Sequence, residues 1–200
     1  VIVDPDDQYI RDKRTFDSLG VKETIEDLEQ LDLCKLLKSG DVNSEDTIAA
    51  LEGEDCNIGF SINCRQIIKK SLIKNFNGNI LNLHGAHLPY GRGGAGATWK
   101  ILNNSNDITS TIHYLTEGID DGDILLERKE EFDVSQSYPI DILRETALVS
   151  ESLISEFLEK LKNEYDFQIT KQDQNNAIYF PRLYTPTNGA IDWSWNCKEI

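Results

Sequence analysis

A strand that runs straight into a glycine-rich loop, residues 79–98 (Asn-Ile-Leu-Asn-Leu-His-Gly-Ala-His-Leu-Pro-Tyr-Gly-Arg-Gly-Gly-Ala-Gly-Ala-Thr), limits most sharply which folds are open to this chain. Residues 79–84 read as a short β-strand entering Gly85. Strand side chains alternate between faces, so Asn82 and His84 share one side and Leu81 and Leu83 the other. Polar groups at the carboxyl end of a strand lie where open α/β sheets bind ligands. Asn82 offers two N–H donors, and His84 can donate, accept or carry a proton near neutral pH. The pair is equipped to hold an oxygen that turns negative during acyl transfer. Asn-x-His also occurs as a turn residue beside a partly exposed histidine, so a second segment has to support the reading.

The flanking sequence alternates between strand and helix patterns. Val1-Ile2-Val3 is strand-like and a turn follows at 4–7. Residues 15–40 carry apolar side chains at helical spacing (Val21, Ile25, Leu28, Leu31, Leu33, Leu36, Leu37), a broken helical region that could hold a strand at 31–33. Asn43-Ser44-Glu45-Asp46 supplies a cap and first-turn acids for a helix continuing through 47–51. A strand at 57–62 precedes an amphipathic helix at 65–76, with Ile67, Ile68, Leu72, Ile73 and Phe76 turned inward, and a turn at Asn77-Gly78. Beyond the loop, 95–102 predicts a helix with Trp99 against the sheet. Strands at 108–115 and 124–132 form a hairpin-like pair around an acidic loop. The longest helix, 139–165, opens with Pro139 and turns Ile140, Leu143, Ala147, Ile154, Phe157, Leu158 and Leu161 inward. The β-α-β order predicts an α/β fold with a parallel sheet covered by helices.

Composition excludes several classes of function. The 20 basic and 35 acidic residues give a formal charge of −15, which repels phosphate backbones, so no nucleic-acid partner is expected. The densest basic cluster, 65–74, is the wet face of a helix. No apolar run approaches the roughly 20 residues of a membrane span. The four cysteines form no CxxC pair and no ligand spacing with histidine, so a reduced, cytoplasmic protein without a cysteine metal site is expected. Residues 91–96 formally contain G-x-G-x-x-G, but Leu88-Pro89-Tyr90 separates the first glycine from the strand and no P-loop lysine follows. The loop is read as passing close to a ligand or to neighbouring backbone.

The second segment is Thr111-Ile112-His113-Tyr114, leading to Gly118-Ile119-Asp120-Asp121-Gly122-Asp123-Ile124. With Asn-x-His-Gly-x-x-Leu-Pro and Arg92-Gly93, it resembles the formyltransferases that use 10-formyltetrahydrofolate. That family includes glycinamide ribonucleotide, methionyl-tRNA and nucleotide-sugar N-formyltransferases. The resemblance runs from about Ile58 to the chain end and implies a Rossmann-like, mostly parallel sheet. It implies Asn82, His84 and Asp120 as catalytic residues, and folate contacts at Arg65, Gln66 and Ile67 and at Gly118, Ile119 and Gly122. Asn82 and a protonated His84 would hold the tetrahedral oxyanion, Asp120 would assist proton transfer, and no metal is implied.

The family pattern further suggests a catalytic core over 1–180 that lacks its first strand and helix, and a linker over 181–200 that begins a carboxy-terminal region. The 118–124 loop and the Trp193/Trp195 ending look most like enzymes that formylate nucleotide-linked amino sugars. The expected partner is therefore a small-molecule amine, with no membrane, and self-association is left open. A methionyl-tRNA formyltransferase relative, a formyltetrahydrofolate deformylase and a folate-binding domain without turnover are the alternatives. Ala86-His87 departs from a pattern of serine and a large apolar or aromatic residue, which bears on the acceptor. His87 points away from His84 if the pleat continues, and His113 reads as a satisfied strand histidine beneath the site. Asp121 and Asp123 read as a solvated face, and the glutamate and spacing of a calcium loop are absent.

Overall fold

The computed structural model describes residues 1–3, 30, 32, 34–54, 56–94 and 96–196. The expected turn at 4–7, the helical positions Val21, Ile25, Leu28, Leu31 and Leu33, and residues 197–200 lie outside them. Strand β1 (Ile2–Val3) pairs in parallel with β2 (Leu37–Lys38). Leu37 was expected to be helical. Instead its N–H donates to Val1 O at 2.8 Å, because an extended segment beside β1 satisfies main-chain groups that a helix here would leave open.

Helix α1 (Glu45–Glu52) starts where its sequence predicts: the Ser44 hydroxyl accepts from Thr47 N, and Glu45 and Asp46 occupy the first turn. Such a cap contributes about 1 kcal/mol. Strand β3 (Gly59–Ile62) follows, and then helix α2, which spans only Lys70–Asn75. The predicted start at 65 is lost to side-chain competition. Gln66 Nε2 donates to Gly40 O at 2.9 Å and its Oε1 accepts from Val42 N at 3.0 Å. Asn43 bonds Ile67 O and Lys69 N, so residues 66–69 are held against the 40–43 loop outside the helix. Ile67 is consequently 66% exposed instead of inward, while Ile68, Leu72, Phe76 and Ile80 form a buried cluster.

Strand β4 (Ile80–His84) carries the organising segment, β5 (Arg92–Gly93) lies in its glycine loop, and α3 (Gly96–Leu102) follows. The predicted hairpin is β6 (Asp107–Tyr114) and β7 (Ile124–Glu131). The main sheet runs β3-β4-β6-β7, with β3 parallel to β4 and the other two pairings antiparallel. A short β8 (Tyr179–Phe180) adds to β5 in parallel. Three of the five strand pairings among the described residues are therefore parallel, in an α/β fold. Trp99 packs on β8 and not on the main sheet: its ring lies 5.1 Å from Phe180, and its indole N–H donates to Pro181 O.

Helix α4 (Pro139–Lys162) opens with Pro139 at its first turn, and Asp141 accepts the Tyr138 N–H at 2.9 Å. Its buried residues are Ile142, Val149, Leu153 and Phe157, so of the expected stripe only Phe157 is in the buried set. Leu143, Leu158 and Leu161 face solvent. The helix carries leucines around most of its circumference, so periodicity leaves its rotation open; the sheet decides it. Leu153 and Phe157 pack on Leu81, Ile112 and Leu125, and Ser150 bonds Ser110 at 2.8 Å. Leu153 is 0% exposed at this seam. Leu153→Ala is expected to destabilise the fold by about 2–5 kcal/mol, read as a lowered urea midpoint with an unchanged slope.

Candidate active site

The pleat of β4 turns Leu81 and Leu83 toward α4 and Asn82 and His84 to the other face. Register then sets polar residues of β6 beside them: Asn82 opposite His113, and His84 opposite Thr111. His113 is buried, and its Nδ1 lies 2.8 Å from Tyr114 O, which can only accept. With the proton on Nδ1 alone, Nε2 accepts from Asn82 Nδ2 at 3.2 Å. One Asn82 N–H is committed to this bond, which orients the amide and leaves its second N–H for a ligand. His113 is the satisfied strand histidine expected from its place in β6, and it also aims Asn82.

His84 Nε2 lies 2.6 Å from Gly91 O, so it carries the proton, and Nδ1 faces Asp120 Oδ2 at 3.7 Å. Asp120 comes from the loop after β6 and has a left-handed backbone, φ 50°. Its Oδ2 accepts the Gly93 N–H at 2.9 Å, and its Oδ1 lies 3.6 Å from His113 Nε2. The three residues implied by the family resemblance therefore converge from β4 and one loop.

Electrostatics divides their states. Burial pulls His84 below its ordinary 6.5; Asp120 and the Gly91 carbonyl offset this only in part, and His113 and Lys100 add to the lowering. Burial would raise the Asp120 carboxyl, but the His113 contact, the His84 ring and the Gly93 N–H outweigh it and hold it below 3.8. At pH 7 the site holds an ionised carboxylate beside a neutral imidazole. The expected protonated His84 is not the resting form, because desolvating the imidazolium costs more than a carboxylate at 3.7 Å returns.

Two residues to which the sequence assigned no role hold Asp120 in place. Gln172 Nε2 donates to Asp120 O at 2.9 Å and to Gly122 O at 2.6 Å. Its Oε1 accepts from Arg92 Nε at 3.1 Å and Nη2 at 2.7 Å. Arg92 is buried, and its third contact is Gln174 Oε1 at 3.0 Å. Gln172 is brought across by a bridge between Ile124 and Thr170, about fifty positions along the chain from Asp120, so no local pattern could reveal it. The glycine loop does pass close to neighbouring backbone: Gly93, at φ 98°, sits where an added Cβ would strike Phe180 O.

Of the residues implied for folate, Gly118, Ile119 and Gly122 share the loop of Asp120, and Arg65, Gln66 and Ile67 lie in the segment before α2. Lys70 pairs with Glu117 at 2.6 Å, which joins the 65–70 segment to the 117–122 loop. Gln66 has its amide engaged with residues 40 and 42 and its carbonyl accepts from the Cys64 thiol at 3.4 Å, so it builds the segment. Ile67 and Ile119 expose apolar side chains, Ile119 directly before Asp120. Gly118 N bonds Thr116 Oγ1, and Gly122 packs its backbone against Tyr114. Exposed isoleucines on the two segments that Lys70 and Glu117 join would suit the face of a flat ring such as a pterin. His84 also lines a cleft of about 390 Å³, together with His87, Tyr90, Trp99, Lys100 and Lys129 among others. Burial lowers Lys100 from 10.5, and Asp107 partly offsets this.

The family model described as Formyl transferase matches residues 1–147. The methionyl-tRNA formyltransferase of Acetivibrio thermocellus is 31% identical over 121 residues, which are 60% of this chain and 38% of that protein. The chain thus spans well under half the length of that relative. The structure of WlaRD, a sugar 3N-formyl transferase in the presence of dTDP and 5-N-formyl-THF, is similar with a TM-score of 0.63 and 24% identity, over 80% of this chain and 54% of its own. PseJ from Anoxybacillus kamchatkensis, in complex with UDP-4,6-dideoxy-4-formamido-L-AltNAc and tetrahydrofolate, gives a TM-score of 0.62 at 19% identity, over 90% of this chain and 84% of its own. At such identities structural likeness speaks for the fold alone. The family match covers most of the chain, and the motif residues meet in one site of that fold: this chain belongs to the formyl transferase family.

Proposed function

We propose that the chain transfers a formyl group from 10-formyltetrahydrofolate to the primary amine of a nucleotide-linked amino sugar. The observation that carries the reading is the convergence of Asn82, His84 and Asp120 at a cleft that His84 lines. The folate supplies an activated formyl carbon, and this chain's residues do the rest. The free Asn82 N–H faces the formyl oxygen as charge develops on it. His84 Nδ1, unprotonated at rest, takes the proton of the attacking amine as its nitrogen bonds the formyl carbon, and returns it to N10 as the carbon–N10 bond breaks and tetrahydrofolate leaves. The resulting imidazolium lies between Gly91 O and the Asp120 carboxylate, which both favour it. Holding amine and formyl donor on opposite sides of His84 provides the rest of the acceleration.

The acceptor class rests on charge and lining. A chain of net charge −15 disfavours tRNA, and a cleft that sets His87, Lys100 and Lys129 among aromatic and small residues suits the polar groups and ring faces of a nucleotide-linked sugar. PseJ and WlaRD, of the same fold, are described with a UDP-linked formamido sugar and with dTDP. The test follows tetrahydrofolate release from 10-formyltetrahydrofolate with dTDP- and UDP-linked amino sugars, with methionyl-tRNA and with no acceptor. Release that depends on an amino sugar is the expected result. Release without acceptor makes the chain a deformylase, release with methionyl-tRNA alone reassigns the acceptor, and no release with folate still bound removes the catalytic reading.

A further inference from the structure

We infer that His87, held by Glu127, reads a hydroxyl of the acceptor next to its reactive amine; this rests on the amino-sugar reading above and deepens it. His87 Nδ1 lies 2.7 Å from Glu127 Oε2, so in the neutral ring Nδ1 donates to the carboxylate and Nε2 presents a lone pair. The Thr111 hydroxyl sits between the same Glu127 oxygen, at 3.1 Å, and Ala86 O, at 2.8 Å, which fixes the carboxylate against the loop. Tyr90 stacks on the imidazole, with ring centres 5.3 Å apart and planes 17° apart. Position and plane of the ring are thus set from two directions. Nε2 has no hydrogen-bond partner among the described residues, and the residue lines the cleft that His84 opens into.

The sheet register connects this pair to the reaction centre. His84 lies opposite Thr111 on β6, and Thr111 opposite Glu127 on β7, so the three form one cross-strand row on one face. Two strand spacings place Glu127 about 10 Å from His84, and His87 overhangs that row. The pleat that would have pointed His87 away does not continue, because β4 ends at His84. An amine delivered to His84 brings its nearest substituents to this wall. Amino sugars carry hydroxyl donors beside the amine, which an Nε2 lone pair accepts; an aminoacyl ester has none there. A leucine or aromatic ring at position 87 would offer shape alone.

The chain has three histidines, so ¹⁵N-histidine correlation spectra resolve every ring. Titration with dTDP- and UDP-linked amino sugars is expected to move the His87 Nε2 resonance away from its free-acceptor position. His87→Leu should raise the acceptor KM on the order of tenfold and leave the folate KM in place. It should also abolish discrimination against an acceptor lacking the adjacent hydroxyl. Glu127→Gln should give a smaller rise of the same kind. Unmoved Nε2 alongside amino-sugar-dependent turnover would overturn the inference and leave the transfer reading intact. A moved Nε2 without turnover under any condition would sustain it and remove that reading. A fall in melting temperature with folate and acceptor constants impaired together would make His87 a loop brace only and overturn the inference.

Discussion

Alanine at His84 is expected to lower kcat by about 10²–10⁴-fold, the range over which a positioned general base contributes. The ring is 14% exposed, and the Asp120 carboxylate 3.7 Å from its Nδ1 is held below its ordinary value, too weak a base to replace the imidazole. Asn82→Ala should cost about 10²–10³-fold, as for removal of one donor to a developing oxyanion. The two losses should not add, because both residues act on one step. Single-turnover measurements at saturating folate and acceptor isolate that step, and folate binding should survive in both variants. A His84→Ala enzyme within about tenfold of wild type would remove the imidazole from the reaction.

Asp120→Asn tests the division of charge within the site. In the wild-type chain His84 is held below 6.5, so the base is available at pH 7 and kcat/KM falls only as the pH drops through that lowered value. Asp120 raises His84, acting against burial. Removing its charge therefore lowers His84 further, and the acid limb of kcat/KM should move to lower pH. The plateau should drop by about 10²-fold or more, since the imidazolium formed in the reaction loses its counter-charge. Asp120 itself is held below 3.8 and stays ionised across the measured range. An acid limb that stays in place or moves upward would contradict a neutral His84 supported by Asp120, and would return the proton to the carboxylate.

Local rules made much of the site legible. A period of two is enough to set Asn82 and His84 on one face of β4, and the β6 register confirms that face. Ser44 caps α1 because its hydroxyl reaches a main-chain N–H three residues on, a relation contained in neighbouring positions. The segment at 118–124 carried Asp120 through its family resemblance. Where local rules failed, a distant partner had prevailed. Residues 66–69 lost their helix to Asn43 and to the 40–42 loop, and α4 took its rotation from the sheet beneath it.

The amino-acid sequence by itself determined which chemical groups the site contains and on which face of β4 two of them stand, because neighbours in a strand are related by fixed geometry. The tertiary structure alone decided their protonation, their aim and their company. His84 is held below its ordinary 6.5 because surrounding elements exclude water from it. Asn82 is aimed by a histidine one strand away, and Asp120 is held by Gln172 from the far end of the chain. His87 acquired a carboxylate partner forty positions along the chain. Burial and long-range hydrogen bonds arise only when the chain closes on itself, and they set the charge of an ionisable group more strongly than its sequence neighbours do.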